Sequence, residues 1–61
     1  MIADVVFDVP VDRPFSYAVP ESLHVTPGQR VRAPLGGRGA RVGLVVALRG
    51  ETKKLRPIEL H

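Results

Sequence analysis

Gln29-Arg30-Val31-Arg32-Ala33, followed by Pro34-Leu35-Gly36-Gly37-Arg38-Gly39 and then Ala40 to Arg49, decides the fold class of this chain. The first segment alternates with period two: Val31 and Ala33 share one face, Arg30 and Arg32 the other, as in a half-buried strand. The middle segment holds three glycines and a proline, the composition of a hairpin loop. In the last segment Val42, Leu44, Val46 and Leu48 recur at every second position and are expected to face the core. Gly43 falls on the opposite face, where the spacing predicts a close backbone approach or a bulge.

Further strands follow outward from this hairpin. Upstream, Thr26-Pro27-Gly28-Gln29 carries proline preset for the first corner of a β-turn and glycine free to take positive φ. Glu21 to Leu23 has room for a single turn. Phe15 to Val19 is a short extended run between Pro14 and Pro20, since each proline disfavours helix at the residue before it. Ala3, Val5, Phe7, Val9 and Val11 alternate with Asp4, Asp8 and Asp12, which predicts a first strand ending near Pro10. Downstream, Gly50-Glu51-Thr52 reads as a turn and Leu55 to Leu60 as a last strand, held to an edge by Pro57. No window carries a helical period. The expectation is an all-β fold: a small curled antiparallel sheet, or partial OB-like barrel, of about five short strands forming one subdomain over residues 1–61.

Composition narrows the function. The chain has 61 residues, no cysteine and a formal net charge of +3. That excludes a disulfide framework, thiolate-ligated zinc and a thiol nucleophile. The longest apolar run, Leu44 to Leu48, is far short of a membrane span, and the N-terminus lacks the pattern of a secretory signal. A binding module is a better expectation than an enzyme at this size. Charge is divided: up to Gln29 four acidic residues face Arg13 alone, net −3, and beyond it eight basic residues face two acidic ones, net +6. A polyanion partner and simple solvation of a strand face both account for this asymmetry.

Few constellations carry chemistry. Asp4, Asp8 and Asp12 on one strand face would stand about 13 Å apart in succession, too far to share a cation. His24 and His61 are isolated, no nucleophile elbow occurs, and no phosphate-binding P-loop motif is present. Gly36-Gly37-Arg38-Gly39 exposes backbone N–H groups suited to a phosphate or a sugar hydroxyl, and equally to a plain hairpin loop. Arg13-Pro14-Phe15-Ser16-Tyr17 is the densest recognition-like cluster. Phe15 and Tyr17 point one way and Ser16 the other, so the aromatics serve either as a base-stacking platform or as core, with at least one of them core.

These residues resemble a known family. Val9-Pro10-Val11-Asp12-Arg13-Pro14-Phe15-Ser16-Tyr17-Ala18-Val19-Pro20 is similar to V-P-L-D-R-x-F-D-Y-x-V-P at the opening of the PriA (primosomal protein N′) replication-restart helicases. Pro27-Gly28-Gln29-Arg30-Val31-Arg32-Ala33-Pro34-Leu35-Gly36 resembles P-G-x-R-V-x-V-P-F-G. Arg41-Val42-Gly43-Leu44-Val45-Val46 and Leu55-Arg56-Pro57-Ile58 are similar to R-x-G-I-V-V and L-K-P-I. The resemblance implies the leading part of a DNA-binding domain that captures the 3′ end of a nascent leading strand at a stalled fork. It implies a 3′-end pocket made of Phe15, Ser16, Gly36 and Arg56, with Tyr17 beside them. Arg13, Arg30, Arg32, Arg38 and Arg41 are then expected along the DNA backbone, with Arg30, Arg32 and Arg41 on outward strand positions. The implied partners are single-stranded or forked DNA with a free 3′ end, other primosome proteins and single-stranded DNA-binding protein, in the bacterial cytoplasm and not at a membrane. No cofactor is expected in this chain, because ATP, magnesium and zinc belong to the rest of such a helicase. Two departures from the family pattern bear on the implied pocket: Ser16 replaces an aspartate, and Arg56 replaces a lysine. The competing readings are an SH3-like or KOW-like barrel that binds RNA or protein, and a structural β subdomain whose pocket has decayed.

Overall fold

Five strands form a single antiparallel sheet: β1 (Ile2–Val6), β2 (Phe15–Ala18), β3 (Arg30–Pro34), β4 (Ala40–Arg49) and β5 (Glu59–Leu60). The structure, a computed structural model, describes residues 1–37, 39–51 and 53–61. The expectations for Arg38 and for Thr52 in the turn after Gly50 therefore lie outside the described residues. No helix forms among the described residues, and the all-β reading holds.

The strand order is β2-β1-β4-β3-β5. The β3–β4 hairpin forms where it is expected, and its register puts Ala33 opposite Arg41 and Pro34 opposite Ala40. Its loop closes with the Leu35 N–H donating to the Gly39 carbonyl, while Gly36 and Gly39 both take positive φ. The turn before β3 is also as expected. Gln29 N–H donates to the Thr26 carbonyl, and Gly28 has φ +94°, the geometry of a type II turn.

The sheet curls into a half-barrel. Its margins, β2 and the segment leading into β5, approach each other where Ala18 bridges Pro57 in parallel. Ala18 N–H donates to the Arg56 carbonyl, and Ile58 N–H donates to the Ala18 carbonyl. Pro57 fits between them because its missing N–H faces a position where no ladder bond is due. The last strand is thus shorter than the expected Leu55 to Leu60. The first strand is shorter too, ending at Val6, so Asp8 and Asp12 leave the face that Asp4 occupies. After Phe7 the chain turns through bends, with Val9 N–H donating to the Phe7 carbonyl and Val11 N–H to the Val9 carbonyl. Such local pairing replaces a strand ladder that Pro10 could not continue.

The concave side holds the core: Ala3, Val5, Tyr17, Val25, Val31, Ala33, Val45 and Ile58, with Phe7, Phe15, Val19, Leu23 and Leu48 packed against it. β4 corrects the reading of its own pattern. Val42, Leu44 and Val46 are 40–44% exposed, whereas Val45 is fully buried and Gly43 is buried. Most of the large alternating side chains therefore face outward. The reason lies in β1. Asp4 pairs with Ala47 but Val5 pairs with Val45, which leaves Val46 as an extra residue in a bulge. Residues directly opposite one another share a face. Before the bulge Gly43 and Val45 face inward, and beyond it Leu48, opposite Ala3, does so. Of the four residues expected inward, only Leu48 is.

Candidate nucleic-acid interface

Phe15 opens β2 on the concave side, opposite Val5. Its ring stands 5.9 Å from that of Phe7 at 65°, and Phe7 stands 6.1 Å from Tyr17 at 78°. Both are edge-to-face arrangements, which favour a fixed ring position. Tyr17 is 5% exposed, and its hydroxyl donates a 2.6 Å bond to the Pro34 carbonyl. Of the two aromatics in the cluster, Tyr17 is core and joins β2 to β3 across the curl. It contributes no wall to the cleft, contrary to its expected place in the pocket. Phe15 is half-buried and lines an open cleft of about 400 Å³ with Val9, Val11, Leu35, Gly36, Gly37 and Arg41.

Burial raises the Tyr17 phenol above its usual value of 10.0, opposed by the positive charge of Arg56. A phenol whose folded pKa exceeds its unfolded one keeps its stabilising effect below about pH 10 and loses it as pH rises through the folded value. Tyr17→Phe is expected to cost about 1 kcal/mol at neutral pH, because the Pro34 carbonyl loses its donor. The variant should also show a smaller drop in urea midpoint between about pH 9 and about pH 11 than the parent. Identical drops in the two proteins would remove Tyr17 as the titrating group.

The register of the hairpin decides the placement of the arginines. Arg30 and Arg32 lie outward, opposite Leu44 and Val42, as expected. Arg41 does not join them. It pairs with Ala33, which is 1% exposed and inward-facing, so its side chain emerges on the concave side and enters the Phe15 cleft. The outward expectation for Arg41 failed because it counted parity along β4 from Val42 as an inward residue. Arg13 is exposed in the linker before β2.

Ser16 and Arg56 are not with Phe15 and Gly36. Ser16 alternates to the outer face, where its Oγ donates to Asp4 Oδ1 at 3.0 Å. Arg49 Nη2 donates to both, at 3.1 Å to Asp4 and 3.0 Å to Ser16, while its Nη1 reaches Glu51 Oε2 at 3.0 Å. The Ser16 hydroxyl is therefore engaged in an outer-face network linking β1, β2 and β4. Arg56 lines a second cleft of about 330 Å³ with Arg32, Pro34, Ala40, Pro57 and Glu59. The four residues of the implied pocket thus divide into Phe15 with Gly36 in one cleft, Arg56 in a neighbouring one, and Ser16 on the far face.

The sequence reading missed Val9, Val11 and Leu35 as cleft walls. Val9 and Val11 were read as one face of a strand. The signal for their true place is Pro10 between them, which stops the ladder and frees both side chains. Gly36 takes φ +61°, with open space where a Cβ would stand; the backbone conformation, and not crowding, calls for glycine there.

The model of one protein family, the 3′DNA-binding domain (3′BD) of PriA, matches residues 4–60 of the chain. The chain belongs to that family. A PriA-type 3′-DNA-binding domain is a DNA-binding module, which settles the ambiguity left by charge alone. The match takes in β1 from Asp4 onward, the other four strands, both clefts and the hairpin.

Proposed function

We propose that the domain holds the free 3′ end of a DNA strand, with the terminal nucleotide seated in the cleft between Phe15 and Gly36, and that it serves replication restart within a larger PriA-type helicase. The observation that carries this reading is the joining, in one family-matched domain, of an aromatic ring, a glycine backbone and the Arg41 cation around one opening. Each part has a task. The Phe15 ring offers a stacking partner that every base can use. The Gly36–Gly37 backbone carries no side chain that would hold a sugar away. Arg41 supplies the positive charge for a phosphodiester. Val9, Val11 and Leu35 add apolar walls without hydrogen-bonding side chains, which favours tolerance of base identity. Ser16, turned to the outer network, takes no part in seating the end. Capture of forked DNA at a stalled fork, and contacts with other primosome proteins and single-stranded DNA-binding protein, belong to the same proposal through the family name. ATP, magnesium and zinc would be bound by the remainder of such a helicase.

Fluorescence anisotropy with one single strand in two forms tests the reading. A strand ending in a 3′-hydroxyl is expected to bind about tenfold or more tightly than the same strand ending in a 3′-phosphate, whose added bulk holds the terminal sugar away from the Gly36–Gly37 backbone. Equal affinities would rule out end recognition and leave only salt-dependent backbone binding.

A further inference from the structure

Arg49 reaches the Ser16 hydroxyl from two strands away. β1 lies between β4 and β2 in the sheet. Ser16 stands opposite Asp4, which stands opposite Ala47. Arg49 is two residues beyond Ala47 and so is a diagonal neighbour of that row. It shares the outer face only because of the bulge at Val46. Val45 faces inward, and unbroken alternation from there would turn Arg49 inward as well; the extra residue moves it outside. Its fork is then filled: Nη2 donates to Asp4 and Ser16, and Nη1 donates to Glu51. Nε is shielded from solvent, so little of the guanidinium is left for a phosphate. The Phe15 end of β2 needs such a tie. β2 is an edge strand of four residues. Its Ala18 end is bonded on the far side to Arg56 and Ile58, and Tyr17 is anchored on the Pro34 carbonyl. Phe15 and Ser16 have β1 on one side, and no backbone bond on the other among the described residues. The bonds of the Ser16 hydroxyl to Asp4 and Arg49 are the side-chain ties at this end.

We infer that Arg49 is a positioning residue for Phe15: through Ser16 and Asp4 it fixes the first half of β2 against β1, and so holds the Phe15 ring at the angle the cleft presents to a base. The inference rests on the stacking role proposed for Phe15. Arg49 itself touches no DNA in this scheme. It acts from the outer face, behind the strand whose inner face carries the ring. A planar fork suits the task, because one guanidinium can hold a carboxylate and a hydroxyl on two neighbouring strands at fixed angles, which a single ammonium does less well.

The test uses the full chain and a twelve-residue oligothymidylate with a 3′-hydroxyl, followed by anisotropy over a range of salt concentrations. Arg49→Met keeps an unbranched stem and removes the fork. Its affinity is expected to fall about fivefold, a part of what one stacked base is worth. The slope of log K against log salt should stay as in the parent. A slope smaller by about 0.7 would overturn the inference, since it marks a lost phosphate contact. Arg49→Lys keeps the charge and should still bind about twofold more weakly; parental affinity there would show that charge alone suffices and would overturn it too. In a Phe15→Leu background, Arg49→Met should cost less than about 1.5-fold, because the residue acts through the ring. A full fivefold loss in that background would mean that it acts elsewhere. Without DNA, the Phe15 ring proton signals should shift in Arg49→Met, and unchanged signals would count against positioning. A thermal melt establishes that each variant is folded; if Arg49→Met is not, Arg49→Lys decides by the same readouts. If Phe15→Leu alone binds at parental strength, the stacking reading fails, and the ring signals by themselves decide whether Arg49 positions Phe15.

Discussion

Gly43→Ala is expected to lower the melting temperature by at least about 12 °C. A Cβ at position 43 would lie 2.5 Å from Val5 Cγ1, 2.8 Å from the Val6 carbonyl oxygen and 2.9 Å from Phe7 Cε1. Contacts that short force something to move. A side-chain tip can turn aside, but the Val6 carbonyl is backbone in the strand that β4 pairs with along its length. Overpacking a core costs about 1–3 kcal/mol and occasionally more. Here about 3 kcal/mol is expected, against a total near 3–9 kcal/mol for a domain of this size. Each kcal/mol moves the midpoint by about 4–8 °C in so small a domain. Adding Val5→Ala should recover only part of the loss, because it removes the Cγ1 contact and leaves the carbonyl. A melting temperature within about 3 °C of the parent would show that β1 and β4 do not approach as closely as this.

Phe15→Ala is expected to weaken single-strand binding by about 1–3 kcal/mol, the usual worth of one base stacked on an aromatic ring. At the middle of that range the dissociation constant rises about thirtyfold. Some stability will be lost too, because Phe15 packs edge-to-face on Phe7. Phe15→Leu separates the two effects. It keeps most of the apolar volume that faces Phe7 and Val5 and removes the π-face that a base would use. The leucine variant should melt close to the parent and still bind DNA several-fold more weakly. Binding by Phe15→Leu at parental strength would show that the ring is core packing and not a stacking surface. The outcome bears on the whole proposal, since Phe15 is the aromatic residue of the cleft.

Much of this was legible in the residues. The turn at Thr26–Gln29 followed from proline and glycine in their required places. β3 followed from strict alternation, and Arg30 and Arg32 turned out on the face assigned to them. The family motifs carried the domain assignment along nearly the whole chain. β4 was harder. Four large aliphatic residues at alternate positions are the ordinary mark of a buried face, and three of them are exposed here. What overrode the pattern was Gly43, the residue on which β1 closes, together with a bulge at Val46 that reversed the alternation before Leu48. Bulges depend on how two strands meet, and neither strand alone encodes one.

The site shows the same division. Local sequence determined that Phe15 and Ser16 point to opposite faces, because a strand admits no other arrangement. It also determined that the hairpin loop would present glycine backbone. It did not determine which face holds the cleft. Ser16 could be placed outside it only once Asp4 and Arg49 were found beside the hydroxyl, 12 and 33 residues away. Arg41 entered the cleft through the register of the hairpin, and Arg56 reached its neighbour through the bridge between Ala18 and Pro57. The sequence by itself therefore settled β3, the hairpin loop, the turn at Thr26–Gln29 and the family, which rest on backbone preferences and motifs within a few residues. Only the tertiary structure decided which side chains share an opening, because register, bulge and curl are set by contacts between segments far apart in the chain.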